Sequence, residues 1–137
     1  MGVKILVVDD EVTHLHLIAT ILRAEGFEVL TAEDGERALD IAKRNHPDLI
    51  LLDIAMPLLD GWEVLRRLRD DHSTAATPVF IVTARAQKSD IEQGRRLGVE
   101  DYITKPFDPV DLVNRVRQRL GGVRHRSQRA HLTEALV

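Results

Sequence analysis

The chain has 137 residues, of which 44% are hydrophobic and 30% charged, enough for one ordinary soluble domain with its own core, and it has no cysteine for a disulfide or a thiolate metal site. Its formal charge of −3 is unevenly spread: residues 1–120 carry 16 Lys/Arg against 21 Asp/Glu, a net of −5, whereas residues 121–137 carry three Arg against Glu134, a net of +2. The acidic body excludes an electrostatic case for nucleic-acid binding, and no stretch approaches the ~20 apolar residues that span a bilayer, so a cytoplasmic protein without membrane contact is expected.

Val3–Asp9 is a short β-branched run, ending in Asp9-Asp10-Glu11 rather than in a signal-peptide cleavage site. Val12, Leu15, Ala19 and Leu22 then recur at a helical period, and Gly26 stops that helix. Phe27–Thr31 alternates like a half-buried strand. A helix from about Asp34 carries Ala38, Leu39 and Ala42 inward and ends at His46-Pro47, because proline cannot continue it. Leu49–Asp53 is the third strand. Asp60 and Glu63 read as a capping box for a helix with Val64, Leu65 and Leu68 on its inner face. Val79–Thr83 is the fourth strand. Ser89 and Glu92 read as a second capping box, for a helix ending near Gly98. Tyr102–Thr104 is a short fifth strand, and Asp108-Pro109 opens a last helix lined by Val113, Val116 and Leu120.

Strands alternating with helices in this way form a parallel sheet covered on both faces. Runs one, three and four are almost wholly apolar and read as central; run two alternates and run five is short and polar, as edges are. The predicted class is therefore α/β, a flavodoxin-like (βα)5 doubly wound sheet of strand order 2-1-3-4-5 over residues 1–120. Its ligand crevice lies beyond the carboxyl ends of strands one and three. Strand one ends in Asp9-Asp10, strand three in Asp53, strand four in Thr83, and strand five runs into Lys105-Pro106. Crowded carboxylates without His or Cys favour a hard divalent cation, Mg²⁺ before Ca²⁺. A metal, an ammonium and a hydroxyl around one carboxylate describe a phosphoryl-transfer site with Asp as nucleophile.

The segments VVDDE, LLDIAMPLLDG, VTA and DYITKPF come in that order along residues 3 to about 120. Together they resemble the receiver domain of bacterial two-component response regulators. The resemblance implies that Asp53 is the phosphoacceptor for a sensor histidine kinase or phosphotransfer protein. It implies that Asp9, Asp10, Asp53 and the backbone carbonyl of Ala55 hold Mg²⁺, or Mn²⁺ in its place. Lys105, after a cis Lys105-Pro106 bond, would pair with the acceptor carboxylate and then with a phosphoryl oxygen. Thr83 would close onto the phosphoryl group and Tyr102 would follow, altering the face made by helix four, strand five and helix five. That face would control an output partner or effector domain, or form a homodimer. Ala55 and Arg85, each two residues past a site residue, would set how water reaches the aspartyl phosphate, and Ala55 offers no side chain to orient one. By this reading the chain catalyses only its own phosphorylation and dephosphorylation.

Each residue also has a plainer reading. Asp9, Asp10 and Glu11 suit a helix N-terminus; Asp53 an Asx turn; Thr83 and Tyr102 ordinary strand packing; Lys105 a solvated loop. Trp62 is expected at the surface end of helix three, and His14 and His16 in solvent. Asp101 and Arg115 read either as an inter-subunit pair or as a surface pair worth little; Ile91, where a further charge would serve a dimer, weakens the first. Two other functions compete: a binding module that is never phosphorylated, and a Mg²⁺-dependent aspartyl-phosphate phosphatase, which wants an acid two residues after the nucleophile where this chain has Ala55. Residues 121–137, opened by Gly121-Gly122 as a hinge, are too few for an effector domain and read as a tail or linker.

Overall fold

A computed structural model describes residues 2–121. Strands β1 (Lys4–Val8), β2 (Glu28–Ala32), β3 (Leu49–Leu52), β4 (Val79–Thr83) and β5 (Asp101–Thr104) form one sheet in the order 2-1-3-4-5, every pairing parallel. Helices α1 (Val12–Ala24), α2 (Gly35–Asn45), α3 (Gly61–Asp70) and α4 (Lys88–Arg96) connect them, and α5 occupies residues 109–121. This is the flavodoxin-like arrangement expected, with strand ends within one residue of the predicted ones. The central strands β3 and β4 are buried at every position, and β5 at only one, as the apolar runs required.

Because side chains alternate across a strand, the sheet divides the core in two. Ile5, Val7, Leu49, Leu51, Phe80 and Val82 face α1 and α5; Leu6, Val8, Ile50, Leu52, Val79 and Ile81 face α2 and α3. On α1 the buried stripe is Leu15, Ile18, Ala19 and Leu22. Val12, expected on it, is 44% exposed: it shares the face of Ala19, but as the first residue of the helix it stands outside the core cluster, and Ile18 completes the stripe instead.

The helix ends follow local chemistry. Asp34 accepts the Arg37 N–H at 2.8 Å and Asp60 the Glu63 N–H at 3.0 Å, each satisfying an otherwise unpaired helix donor. The Glu63 carboxylate does not reach back to complete a box; it pairs with Arg66 and Arg67 on its own helix. At α4 the expected Ser89–Glu92 box is replaced by one two residues earlier. The helix begins at Lys88 with Gln87 as N-cap, and the carboxylate of Asp90 accepts the Gln87 N–H at 3.3 Å. Asp90 wins because Arg85 holds it at 3.0 Å, fixing the turn around it. Helix α4 buries only Asp90 and Gly94, so it is anchored far more thinly than the others.

Two further expectations are corrected. Trp62 is 4% exposed, in the core rather than at the surface. It packs in the core cluster beside α2 and the sheet, with Gly94 of α4 near its indole. Gly121 is still helical, so α5 does not break at the first glycine of the expected hinge; Gly122 and the rest of the predicted tail lie outside the described residues.

Candidate functional site

Sheet hydrogen bonding continues one residue past each strand and aligns the site. The Asp9 N–H donates to Ala32 O (3.1 Å), the Asp53 N–H to Val8 O (3.0 Å) and the Lys105 N–H to Thr83 O (2.8 Å). Asp9, Asp53 and Lys105 are thus carried in one row at the carboxyl edge, with Thr83 closing β4 beside them. Tight packing beneath sets the depth of Asp53: a Cβ on Gly61 would lie 2.5 Å from the Asp53 carbonyl oxygen.

Both carboxylate oxygens of Asp53, which is 6% exposed, are occupied by donors. Oδ1 accepts the Thr83 hydroxyl at 2.7 Å and the Ala55 N–H at 2.9 Å; Oδ2 accepts the Lys105 ammonium at 3.1 Å. Lys105 also donates to Asp9 Oδ2 at 2.6 Å, while Asp9 Oδ1 takes the Glu11 N–H at 2.9 Å. One ammonium therefore bridges two buried carboxylates, and the Lys105-Pro106 bond that delivers it is cis. Asp10 is exposed beside them. Carboxylate oxygens of Asp9, Asp10 and Asp53 all lie within 4.8 Å of one another, an oxygen-only donor set that suits a hard divalent cation.

Charge and burial oppose each other here. Burial raises the Asp9 carboxyl above the usual carboxylate range, against the hydrogen bonds from Lys105 and Glu11 that lower it. Burial by itself would lower the Lys105 ammonium, but Asp9 and Asp53 outweigh it and the net shift is upward. Tyr102 is pushed up to about 12, by burial first and by the Asp90 charge next.

The residues singled out in the sequence are thus distributed unequally. Asp9, Asp10, Asp53, Ala55, Thr83 and Lys105 come together. Tyr102 stands apart, with its hydroxyl donating to the Arg85 carbonyl. Asp101 and Arg115 pair within the chain at 2.8 Å. Of the two histidines expected in solvent, His16 is exposed, whereas His14 is 40% exposed and also reaches the site: its Nδ1 is 3.1 Å from the Lys105 ammonium and 2.9 Å from Glu11 Oε2. Only the Glu11 contact was local, three residues before His14 at the start of α1; the approach to Lys105 was not. Arg85 also proves to be more than a neighbour of Thr83, because it pairs with the buried carboxylate of Asp90.

Known proteins share this layout. The chain is 40% identical over 119 residues to Protein PilH of Pseudomonas aeruginosa, covering 87% of this chain and 98% of PilH. It is 47% identical over 117 residues to Response regulator PleD of Caulobacter vibrioides and 41% over 120 residues to the DNA-binding response regulator MtrA of Mycobacterium leprae. Those alignments cover 85% and 88% of this chain but only 26% of PleD and 52% of MtrA, so the chain spans between a quarter and a half of such relatives. Among solved structures, Vibrio cholerae chemotaxis protein CheY4 superposes with a TM-score of 0.83 at 29% identity, over 88% of this chain and all of CheY4. The receiver domain of sensor histidine kinase PA1611 of Pseudomonas aeruginosa, solved with a magnesium ion coordinated in its active site cleft, gives 0.81 at 32% identity, over 88% of this chain and 99% of that one. The family model of the response regulator receiver domain matches residues 5–117, and with these relatives and this sheet the chain belongs to that family, a signalling module of two-component systems.

Proposed function

We propose that the domain is a phosphorylatable switch with Asp53 as the acceptor. The observation that carries this is the state of the Asp53 carboxylate, buried at a strand tip with every contact a hydrogen-bond donor: Thr83, Ala55 and Lys105. A carboxylate oxygen of Asp53 would attack a phosphohistidine, forming a P–O bond as the P–N bond breaks; the leaving imidazole nitrogen takes up a proton. Lys105 then moves its charge from the carboxylate to a phosphoryl oxygen, and the Thr83 hydroxyl donates to another.

The carboxylates of Asp9, Asp10 and Asp53 fit Mg²⁺, or Mn²⁺ in its place, with the Ala55 carbonyl as a further ligand. Such a cation supplies charge neutralisation to the transferring group. The donor is a sensor histidine kinase or phosphotransfer protein, and the face of α4, β5 and α5 delivers the change to an output domain, a separate partner or a second copy. The net −5 of residues 1–120 supports an output other than direct nucleic-acid contact by this domain. No described helix is long and apolar enough to cross a membrane, and the proposed kinase donor fits a domain working in the cytoplasm. Receiver domains are generally signalling modules rather than enzymes, and Ala55 leaves a phosphatase without its second carboxylate.

The test is intact-mass spectrometry after incubation with acetyl phosphate and Mg²⁺. One added phosphoryl group, dependent on Mg²⁺ and lost in Asp53→Asn, is expected. No adduct together with no binding of beryllofluoride, an aspartyl-phosphate mimic, would overturn the proposal in favour of an unphosphorylated binding module.

A further inference from the structure

Arg85 is the one described residue that contacts Thr83, Asp90 and Tyr102 together. Its N–H donates to Thr83 Oγ1 at 3.3 Å, its carbonyl accepts the Tyr102 hydroxyl, and its guanidinium holds Asp90 Oδ1 at 3.0 Å. Thr83 Oγ1 is in turn 2.7 Å from Asp53 Oδ1. The backbone of Arg85 is therefore fixed one hydrogen bond away from the group that holds the acceptor, while its side chain is half exposed and free to turn about its own torsions.

Asp90 is the opposite case. Its carboxylate is 5% exposed on a helix that buries nothing else but Gly94, and it accepts hydrogen bonds from Arg85 and the Gln87 N–H. A buried carboxylate is costly without a cation beside it. Removing Arg85 would leave Asp90 with a single backbone donor and the N-terminal end of α4, and water could reach it only if the first turn of the helix shifted.

Phosphorylation of Asp53 raises the demand for cations at the other end. A phosphoryl group carries about −1.5 to −2 charges and three acceptor oxygens where one carboxylate charge stood. Lys105 is already divided between Asp9 and Asp53. A guanidinium can meet two phosphoryl oxygens at once, which an ammonium cannot do with the same geometry.

We propose that Arg85 is a cation shared by two sites: it holds Asp90 in the resting domain and turns to the phosphoryl group when Asp53 carries one, releasing the N-terminal turn of α4. The inference rests on the reading of Asp53 as phosphoacceptor. It makes α4 the element that senses the acceptor's charge, and it makes Asp90 a competitor of the phosphoryl group. By linkage, whatever weakens the hold of Asp90 on Arg85 must tighten the hold of the acceptor site on a phosphoryl mimic.

Beryllofluoride titrated calorimetrically into the full chain at saturating Mg²⁺ tests this, using Asp90→Asn, Arg85→Ala and the double variant. Asn keeps an oxygen for the Gln87 N–H but no charge for Arg85. Asp90→Asn should bind the mimic at least about fivefold more tightly than wild type, and Arg85→Ala at least about fivefold more weakly, the low end of usual coupling between sites. The gain from Asp90→Asn should vanish in the Arg85→Ala background. An unchanged affinity in Asp90→Asn, or the same gain with and without Arg85, overturns the shared-cation proposal. Amide exchange adds a readout in case a variant is weakened overall. Residues 88–91 should exchange faster in wild type once beryllofluoride binds, and already without it in Arg85→Ala; exchange there that ignores both would count against it. Wild type that neither binds beryllofluoride nor gains a phosphoryl group would overturn the acceptor reading itself, and this inference with it. Wild type that binds while the variants show no coupling would overturn this inference alone.

Discussion

Gly61→Ala should destabilise the domain, although simple helix propensity predicts the reverse. Gly61 is the first residue of α3, and alanine in a helix is normally favoured over glycine by up to about 1 kcal/mol. Here the added Cβ would stand 2.4 Å from Ile54 Cα, 2.5 Å from the Asp53 carbonyl oxygen and 3.0 Å from the Asp53 carbonyl carbon. Ordinary contact begins at 3.4 Å, so α3 and the end of β3 would have to separate by about 1 Å. All three obstructing atoms are backbone, which cannot turn aside as a rotamer can. Overpacking of this kind costs about 1–3 kcal/mol, and a backbone obstruction belongs at the upper end. After the helix gain, a net loss of about 2 kcal/mol remains, lowering the thermal midpoint by roughly 8–10 °C in a domain of this size. Urea denaturation followed by circular dichroism measures it. Gly35→Ala, where the two nearest atoms are the ends of the Val64 and Leu59 side chains and the one close backbone atom, Leu59 O, is 3.0 Å away, should lose less, and Gly94→Ala, first met by Val99 Cγ2 at 3.1 Å, least. A Gly61→Ala variant within about 0.5 kcal/mol of wild type, or one more stable than Gly94→Ala, would refute the packing argument.

Other outcomes follow from the site. Burial raises the Asp9 carboxyl, so the folded state keeps that proton to higher pH than the unfolded chain, and the resulting stability is present at low pH and lost as pH rises through the folded value. Lys105 is raised too, but its contribution is lost only above its ordinary alkaline range, outside this window. Asp9→Asn, without metal, should therefore gain on wild type between pH 4 and pH 7 in urea titrations; a constant gap across that range would contradict the shift. Mg²⁺ at 100 times its dissociation constant should stabilise wild type by about 2.7 kcal/mol, and Asp10→Asn should abolish most of this; equal stabilisation of the two by thermal melting would remove the Asp9–Asp10–Asp53 cluster as the metal site. Tyr102 should titrate near 12 by ultraviolet absorbance, and a midpoint at an ordinary tyrosine value near 10 would show the phenol to be solvated. Thr74→Val, which strips a buried hydroxyl that donates to Leu68 O at 2.7 Å, should cost roughly 1–2 kcal/mol; a neutral result would mean water replaces it.

What could be read in advance was whatever depends on residues near one another along the chain. Apolar runs of four or five residues marked β1, β3 and β4 as central strands, and polar interruptions marked β2 and β5 as edges. Parallel strands all point one way, so residues at their carboxyl ends must meet, and Asp9, Asp53, Thr83 and Lys105 were legible as one site before any coordinate was known. The cap at Asp60 and the start of α2 near Asp34 were legible for the same reason.

The misreadings concern contacts between residues distant in the chain or choices among similar local signals. Trp62 is buried because it joins the core cluster built by its own α3 with β1, β3, β4 and α2, elements remote from it in the chain. His14 is drawn to the site by a lysine 91 positions away. The start of α4 turned on Asp90 finding Arg85 rather than on the Ser89–Glu92 pattern, which was as good a capping signal on paper. Period and strand polarity are properties of the chain alone and determined the fold and the acceptor row. Which polar group holds which, and which helix is left thinly anchored, was decided by tertiary packing, because a hydrogen bond or a cavity exists only once two remote surfaces have been brought together.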